Sequence, residues 1–413
     1  MSQKIKWSLC FALLSLLLLT AATGAAWEDG GARPAVVVYS GDAGPAEMYE
    51  MLADMEGVTV LWAYDAFFRG AAVEADGAAL RALARLEGVE SVAPAAFYES
   101  GAAASYGEAV PSEEGLALMG ADGLWEQGYT GDGLVVAVID SGLNVNHAAF
   151  ADASLVKSPA ISKADVEAFA KKGGTAGRYL SSKIPFVYDY YSNDTDVTSS
   201  NQHGTHVTAL AAGYAGGQNG FRGAAPGAQI LGLKIFPDGS GSGTNDTIIL
   251  RALEDAWNLG ADVINISVGT GAGFSASDVM DGLYCRAFQQ MAEDGVIVCA
   301  AAGNSKPTVM SNTWSQALPT GAYTDYSSLF SPGSLYGAVA VAASSRDGKG
   351  GMEIADYSSW GPASGLHLCP ALTAFGGPVN AASASDNTAY RSETGTSMAS
   401  GSMSGHFAVL LQA

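Results

Sequence analysis

The sequence predicts an α/β protein: a doubly wound, mostly parallel sheet with helices on both faces, preceded by a small α+β domain. Three observations carry this. Apolar runs without polar alternation recur at 134–139, 230–236, 263–268, 296–302 and 337–343, as expected of strands covered on both faces. Helical patterns lie between them at 205–212, 246–259 and 276–293, and buried strands alternating with helices imply a parallel sheet. Upstream, residues 33–98 carry shorter elements in a different rhythm.

That rhythm is strand, helix, strand, strand, helix, strand. Residues 35–39 are β-rich, and 47–55 place Met48, Met51, Leu52 and Met55 on one helical stripe. Residues 58–62 and 70–73 read as strands, 78–86 as an Ala/Leu-rich helix, and 89–93 as the closing strand. This order suits a small ferredoxin-like sandwich within residues 27–98. A methionine stripe of this kind is more often core than interface. Before it, Lys4 and Lys6 precede an apolar run from Trp7 to Leu19 and a small-residue stretch to Ala26. Residues 1–26 therefore read as an export signal. The alternative is an uncleaved anchor, since the stretch reaches the ~20 residues a spanning helix needs. Residues 99–111 are small and polar, an exposed linker suited to a maturation cut. The larger domain occupies 112–413.

The chain has 413 residues, with Lys+Arg 20 against Asp+Glu 41 and a net charge of −21. That balance argues against a nucleic-acid partner, which needs clustered cations. Hydrophobic content of 48% with 52 glycines excludes bulk disorder. Four cysteines are too few for a disulfide scaffold. Cys10 lies in the leader, which leaves Cys285, Cys299 and Cys369, an odd set. Cys299, in an apolar strand, reads as a buried thiol. Whether Cys285 and Cys369 pair stays open.

Four loops carry the chemistry. Asp140 sits at a strand end before Ser141-Gly142. His203 opens a helix in His203-Gly204-Thr205-His206. Asn304 follows a strand and Gly303. Ser397 stands in Gly395-Thr396-Ser397-Met398-Ala399, where a helix should begin. Singly, each has an ordinary reading: a turn former, a helix-start histidine, a residue tolerant of positive φ, an N-cap. Together they supply what serine chemistry needs. A hydroxyl attacks once a base takes its proton. An imidazole does so best when a carboxylate holds its other nitrogen. The resulting oxyanion needs aimed donors, and a helix N-terminus offers one.

These four motifs, in the order Asp, His, Asn, Ser, resemble those of the subtilisin-like serine proteases over residues 112–413. The resemblance implies Asp140 as orienting acid, His203 as general base, Ser397 as nucleophile and Asn304 as oxyanion amide. It gives His206 a structural role. Ser267, Val268 and Gly269 would pair with an extended peptide as an added strand. Phe330, within 329–333, would floor the first specificity pocket, although a core phenylalanine pointing elsewhere fits equally. The 33–98 unit resembles the family's propeptide, which templates folding and acts as an intramolecular inhibitor. No cofactor is implied for the chemistry. Structural calcium is a weaker expectation, with Asp189, Asn193, Asp194 and Asp196 as oxygen donors, against the plainer reading of a solvated acidic turn. Gln218-Asn219-Gly220, where the family has a calcium loop, lacks a carboxylate.

A finer resemblance is to lactocepin-type cell-envelope proteinases, carried by residues 179–190 and 357–362. It implies a secreted or envelope-associated endopeptidase acting on proteins or peptides. The stretch between Asn304 and Ser397 is too short to add an inserted domain of ~100 residues. Departures from the family pattern are Gly401 for proline, Thr208 for alanine, and Ala371 and Phe375 for Asp and Pro. Ala413 follows Ser397 closely, where family members continue, so a C-terminally truncated domain is expected. The rival classes are a non-catalytic protein that grips extended peptides and a different serine acyl-transfer enzyme. The latter would carry a Gly-x-Ser-x-Gly elbow, whereas Ala399 stands in the last place here.

Overall fold

The computed structural model describes residues 31–40, 44–98, 109–216, 220–238, 243–271, 279–305, 328–349, 351–363 and 367–413. The export-signal reading, most of the linker and Gln218-Asn219 lie outside them. The chain forms two compact units, which meet at Ala96/Phe97.

In the first unit, β1 (Arg33–Tyr39), α1 (Pro45–Ala53), β2 (Val58–Tyr64), β3 (Gly70–Ala75), α2 (Gly77–Leu83) and β4 (Val89–Pro94) follow the predicted rhythm. The strands form an antiparallel sheet in the order β2-β3-β1-β4. Met48 and Leu52 from α1 and Leu80 and Leu83 from α2 pack on Val37, Val73 and Val92. The methionine stripe thus serves the core. Asp76 caps α2, accepting from the Ala79 amide at 2.8 Å.

The second unit opens with β5 (Phe97–Tyr98). Its main sheet is built from β6 (Val135–Asp140), β7 (Phe186–Asp189), β8 (Gln229–Lys234), β10 (Val263–Ile266), β12 (Ile297–Ala301) and β14 (Val339–Arg346), with β15 (Met352–Ile354) and β16 (Leu372–Phe375) beside β14. Short β9 (Thr244–Asn245), β11 (Thr270–Gly271) and β13 (Phe330–Ser331) lie off it. The order across the sheet is β7-β8-β6-β10-β12-β14. All these neighbours are parallel, and only β15 runs antiparallel. Residues 135–139 are at most 3% exposed. Alternate side chains of a strand point to opposite faces, so both faces are covered. From β6 the chain goes to the outer β7, steps back to β8 beside β6, and then crosses to lay β10 on the other side of β6. This switch point opens a crevice at the carboxyl ends of β6 and β10.

Four helices matter to that crevice: α3 (His203–Ala212), α4 (Asp246–Asn258), α5 (Val279–Glu293) and α6 (Thr396–Gln412). Helix α3 begins two residues before the apolar periodicity does, because His203 and Gly204 add no apolar signal. The run at 263–268 yields a strand only to Ile266, because Ser267 leaves the ladder and turns its carbonyl and hydroxyl to α6.

Helices α3 and α6 pack backbone to backbone. A Cβ built on Gly405 would stand 2.0 Å from the Ala211 carbonyl oxygen, and one on Gly401 would meet Val207 Cγ1 at 2.9 Å. Gly401 in place of proline is therefore a packing device. Thr208 satisfies its hydroxyl on the Gly204 carbonyl at 2.7 Å, and Phe375 is buried against Gly115. Cys285 and Cys369 do not pair. All three described cysteines are free, and Cys369 Sγ faces the Gly333 carbonyl. Burial pushes the Cys299 thiol up to about 12. Among the described residues no helix is long and apolar enough to cross a membrane.

Gly405→Ala should destabilise the larger unit by about 1–3 kcal/mol through overpacking. Gly282→Ala, in α5 with nothing within 4 Å of the new Cβ, should stabilise it by up to ~1 kcal/mol. Urea unfolding midpoints of the two variants check both signs.

Candidate active site

Asp140 ends β6 and His203 begins α3, and the fold brings them together. His203 Nδ1 donates to Asp140 Oδ1 at 2.8 Å, with the two residues 4% and 1% exposed. The close approach depends on the neighbours. The Gly204 amide donates to Ser141 Oγ at 3.0 Å. A Cβ on Gly204 would lie 2.3 Å from the Gly142 carbonyl and 3.1 Å from Asp140 Oδ1. Gly142 itself has φ +125° and faces the Val197 carbonyl, so both glycines are required. Asp140 Oδ1 also accepts from the Ser141 amide at 2.6 Å.

The other imidazole nitrogen, His203 Nε2, has no hydrogen-bond partner among the described residues. Burial opposes the imidazolium. The attraction and hydrogen bond of Asp140, with a smaller contribution from Glu393, outweigh it and raise the pKa above 6.5. Glu393 is 6% exposed on the strand Tyr390–Glu393 and held by Arg391 Nε at 3.1 Å. Burial raises its own pKa. His206, one turn along α3, points elsewhere: its Nε2 donates to the Val379 and Arg391 carbonyls at 3.1 and 3.2 Å. Burial lowers its pKa to about 3.

Ser397 lies in the first turn of α6, whose amide N–H groups have no acceptor within the helix, and it is 2% exposed. Its hydroxyl donates to the Ser267 carbonyl at 3.2 Å rather than to His203. Serine and imidazole are thus not directly bonded, although α3 and α6 pack together. Asn304 reaches the same turn. Its Oδ1 accepts from the Thr396 amide at 2.9 Å and from Thr396 Oγ1 at 3.1 Å. A backbone N–H can only donate, so Oδ1 is the bound arm of the Asn304 fork and Nδ2 is the outward one. Thr396 Oγ1 in turn accepts from the Gly303 amide at 3.1 Å.

Sequence reasoning missed the residues that hold this turn. Thr396 clasps Asn304. Buried Asn265 and Ser267, bonded to each other at 2.8 Å, tie β10 to Ser397, Ser400 and Ser404 of α6 at 2.9 to 3.2 Å. Serines and an asparagine inside otherwise apolar segments were the available signal. Ser267, Val268 and Gly269 follow β10 at the crevice, and β11 after them pairs antiparallel with β13. The Phe330 side chain lies against Gly269 and Gly303, within 2.9 and 2.5 Å of their built Cβ positions. It therefore borders the site.

The proposed calcium donors do not converge. Asp189 pairs with buried Lys234 and accepts from the Tyr191 and Ser192 amides. Asp194 and Asp196 accept from local backbone, and Asn193 Oδ1 accepts from the Tyr188 hydroxyl. Among the described residues no three His, Cys, Asp or Glu side chains are grouped to hold an ion.

A buried carboxylate–imidazole pair at the switch point of a doubly wound sheet, on a helix packed against the one whose first turn bears a serine, is the arrangement expected of the subtilisin-like class. The model of the subtilase family matches residues 131–413, and the chain belongs to that family. It is similar to the PI-type proteinase of Lactococcus lactis subsp. cremoris, 35% identical over 186 residues, covering 43% of this chain and 9% of that proteinase. It is also similar to the C5a peptidase of Streptococcus pyogenes, 32% identical over 230 residues, covering 54% of this chain and 19% of that peptidase. The chain thus matches less than a fifth of either relative's length.

The His203 imidazole should titrate above pH 6.5 when followed by proton NMR. In Asp140→Asn the carboxylate's support is lost, burial acts with little opposition, and the midpoint should fall below 6.5. Identical midpoints would contradict the coupling.

Proposed function

We propose that the chain is a serine endopeptidase of proteins or peptides, exported and either released or held at the cell envelope, and made as a preproenzyme. The observation that carries this reading is the Asp140–His203 pair. It fixes the imidazole through Nδ1 and leaves Nε2 unpartnered, on a helix packed against the one whose first turn bears Ser397. Ser397 Oγ turns from Ser267 to Nε2 and gives up its proton as it attacks the peptide carbonyl. Asp140 steadies the imidazolium. Asn304 Nδ2 and the Ser397 amide donate to the oxyanion. His203 then protonates the departing amine, and water, activated by the same imidazole, hydrolyses the acyl-enzyme. No cofactor takes part in these steps, and a structural calcium ion remains part of the proposal without an assigned site. The subtilase relatives named above are proteinases and peptidases, which supports this chemistry.

Residues 27–98 act as the propeptide and intramolecular inhibitor, with the maturation cut in 99–111. Support comes from a separate core in this unit and from its place before the peptidase domain. Backbone of Ser267, Val268 and Gly269 receives the substrate as an added strand, and Phe330 limits the pocket to small side chains.

A fluorophosphonate probe should label the full chain and fail on Ser397→Ala, and self-cleavage within 99–111 should disappear in that variant. A folded chain that neither labels nor cuts itself is a peptide-binding protein instead. Asn304→Ala should lower kcat about 10²–10³-fold with little change in KM. Peptides with alanine before the cut should be turned over faster than those with phenylalanine, and equal turnover would remove Phe330 from the pocket.

A further inference from the structure

The short strand β5 carries an unusual side chain for the opening segment of the second unit. Phe97 is exposed, but Tyr98 is 2% exposed. β5 pairs antiparallel with β9, placing Tyr98 opposite Thr244 and Phe97 opposite Asn245. The backbones approach so closely that a Cβ on Gly243 would stand 2.2 Å from the Tyr98 carbonyl oxygen. The phenol enters the protein and donates to Asp246 Oδ1 at 2.5 Å. Asp246 is 1% exposed and also receives the Tyr284 hydroxyl at 2.9 Å. The Ser331 hydroxyl is a further hydrogen-bonding neighbour of the phenol. Ser331 sits on β13, opposite Thr270, and its carbonyl lies 2.8 Å from the built Cβ of Gly269. The phenol's surroundings are therefore continuous with the proposed peptide-pairing segment.

We infer that the pocket formed by Asp246, Tyr284 and Ser331 is a specificity subsite for a tyrosine side chain of the peptide substrate, and that Tyr98 occupies it as a substrate residue would. This rests on the peptidase reading and deepens it. A site whose buried polar groups expect a hydroxyl discriminates strongly against an analogue without one, because the acceptor is left unpaired. Phenylalanine offers no donor to Asp246 Oδ1, which would keep the Tyr284 hydroxyl but lose the shorter of the two bonds. A neutral donor suits the pocket better than a lysine or arginine. Asp246 opens α4, where the helix N-terminus already offsets a negative charge, and Tyr284 supplies another donor. A cation would have to shed its own hydration to enter a site that does not need it.

The test uses two arms on the full chain. In the first, matured protein is given fluorogenic peptides that carry tyrosine, phenylalanine, lysine or alanine in turn at each of several positions before the scissile bond. At one position tyrosine should exceed phenylalanine about tenfold or more in kcat/KM, the effect of losing a hydrogen bond to an ionised acceptor. Asp246→Asn should shrink that preference, read as the ratio of kcat/KM for the tyrosine and phenylalanine peptides. Equal use of tyrosine and phenylalanine at every position, or a preference for lysine, overturns the assignment. If Asp246→Asn does not fold, the comparison on the unaltered protein still decides.

The second arm needs no catalysis. A full chain carrying Tyr98→Ala and Ser397→Ala is titrated with a labelled peptide of sequence Ala-Ala-Phe-Tyr-Glu-Ser and with its Phe-for-Tyr counterpart, followed by fluorescence anisotropy. The tyrosine peptide should bind about tenfold more tightly. Equal affinities, or no binding by either, overturn the pocket. Absent fluorophosphonate labelling together with selective peptide binding would sink the peptidase reading alone.

Discussion

The hydrogen bond between Asp140 and His203 is the constraint on which the rest of the site depends. It spans the gap between the end of one parallel strand and the start of one helix, and it forms only because the backbone there is bare. Glycine at 204 lets α3 begin against the Gly142 carbonyl, and the Ser141 hydroxyl ties the two loops together. The bond also sets the electrostatics. A buried imidazole alone would resist protonation; beside this carboxylate it accepts a proton more readily than in water. The proposed general-base role would need that balance.

The opposite wall of the crevice is organised by small hydroxyls. Ser267, Ser400 and Ser404, with Asn265, bond the end of β10 to α6 in the interior, and Thr396 sets the orientation of Asn304. Apart from half-buried Asn304, each of these groups is buried and has a partner, as buried polar groups must be. The helix bearing Ser397 is therefore fixed to the sheet by directional bonds, in addition to the nonspecific burial of its apolar face.

Much of this could be read from the residues. Apolar runs without alternation marked the central strands, and four loop motifs marked Asp140, His203, Asn304 and Ser397. Periodicity did not mark the start of α3, because histidine and glycine carry no apolar signal. It also overran the end of β10, because Val268 is apolar but its neighbour Ser267 bonds out of the ladder. The spacing of motifs says nothing of rotamers, so the Ser397–Ser267 bond was not foreseeable. Nor was the role of Gly401, a departure from the family's proline whose packing against Val207 is visible only in the fold. Long-range pairs such as Tyr98 with Asp246 leave no local pattern, since their partners stand far apart in the chain and meet only through the fold.

The crossing of α3 and α6 has a thermal consequence. With Gly401 and Gly405 set against Val207 and the Ala211 carbonyl, the helix that opens on His203 and the helix that bears Ser397 approach closely at these two points. They cannot slide or tilt separately without opening a void or a clash. On warming, the spacing of the two helices is therefore preserved until the larger unit melts, so loss of the His203–Ser397 arrangement should coincide with cooperative unfolding instead of preceding it.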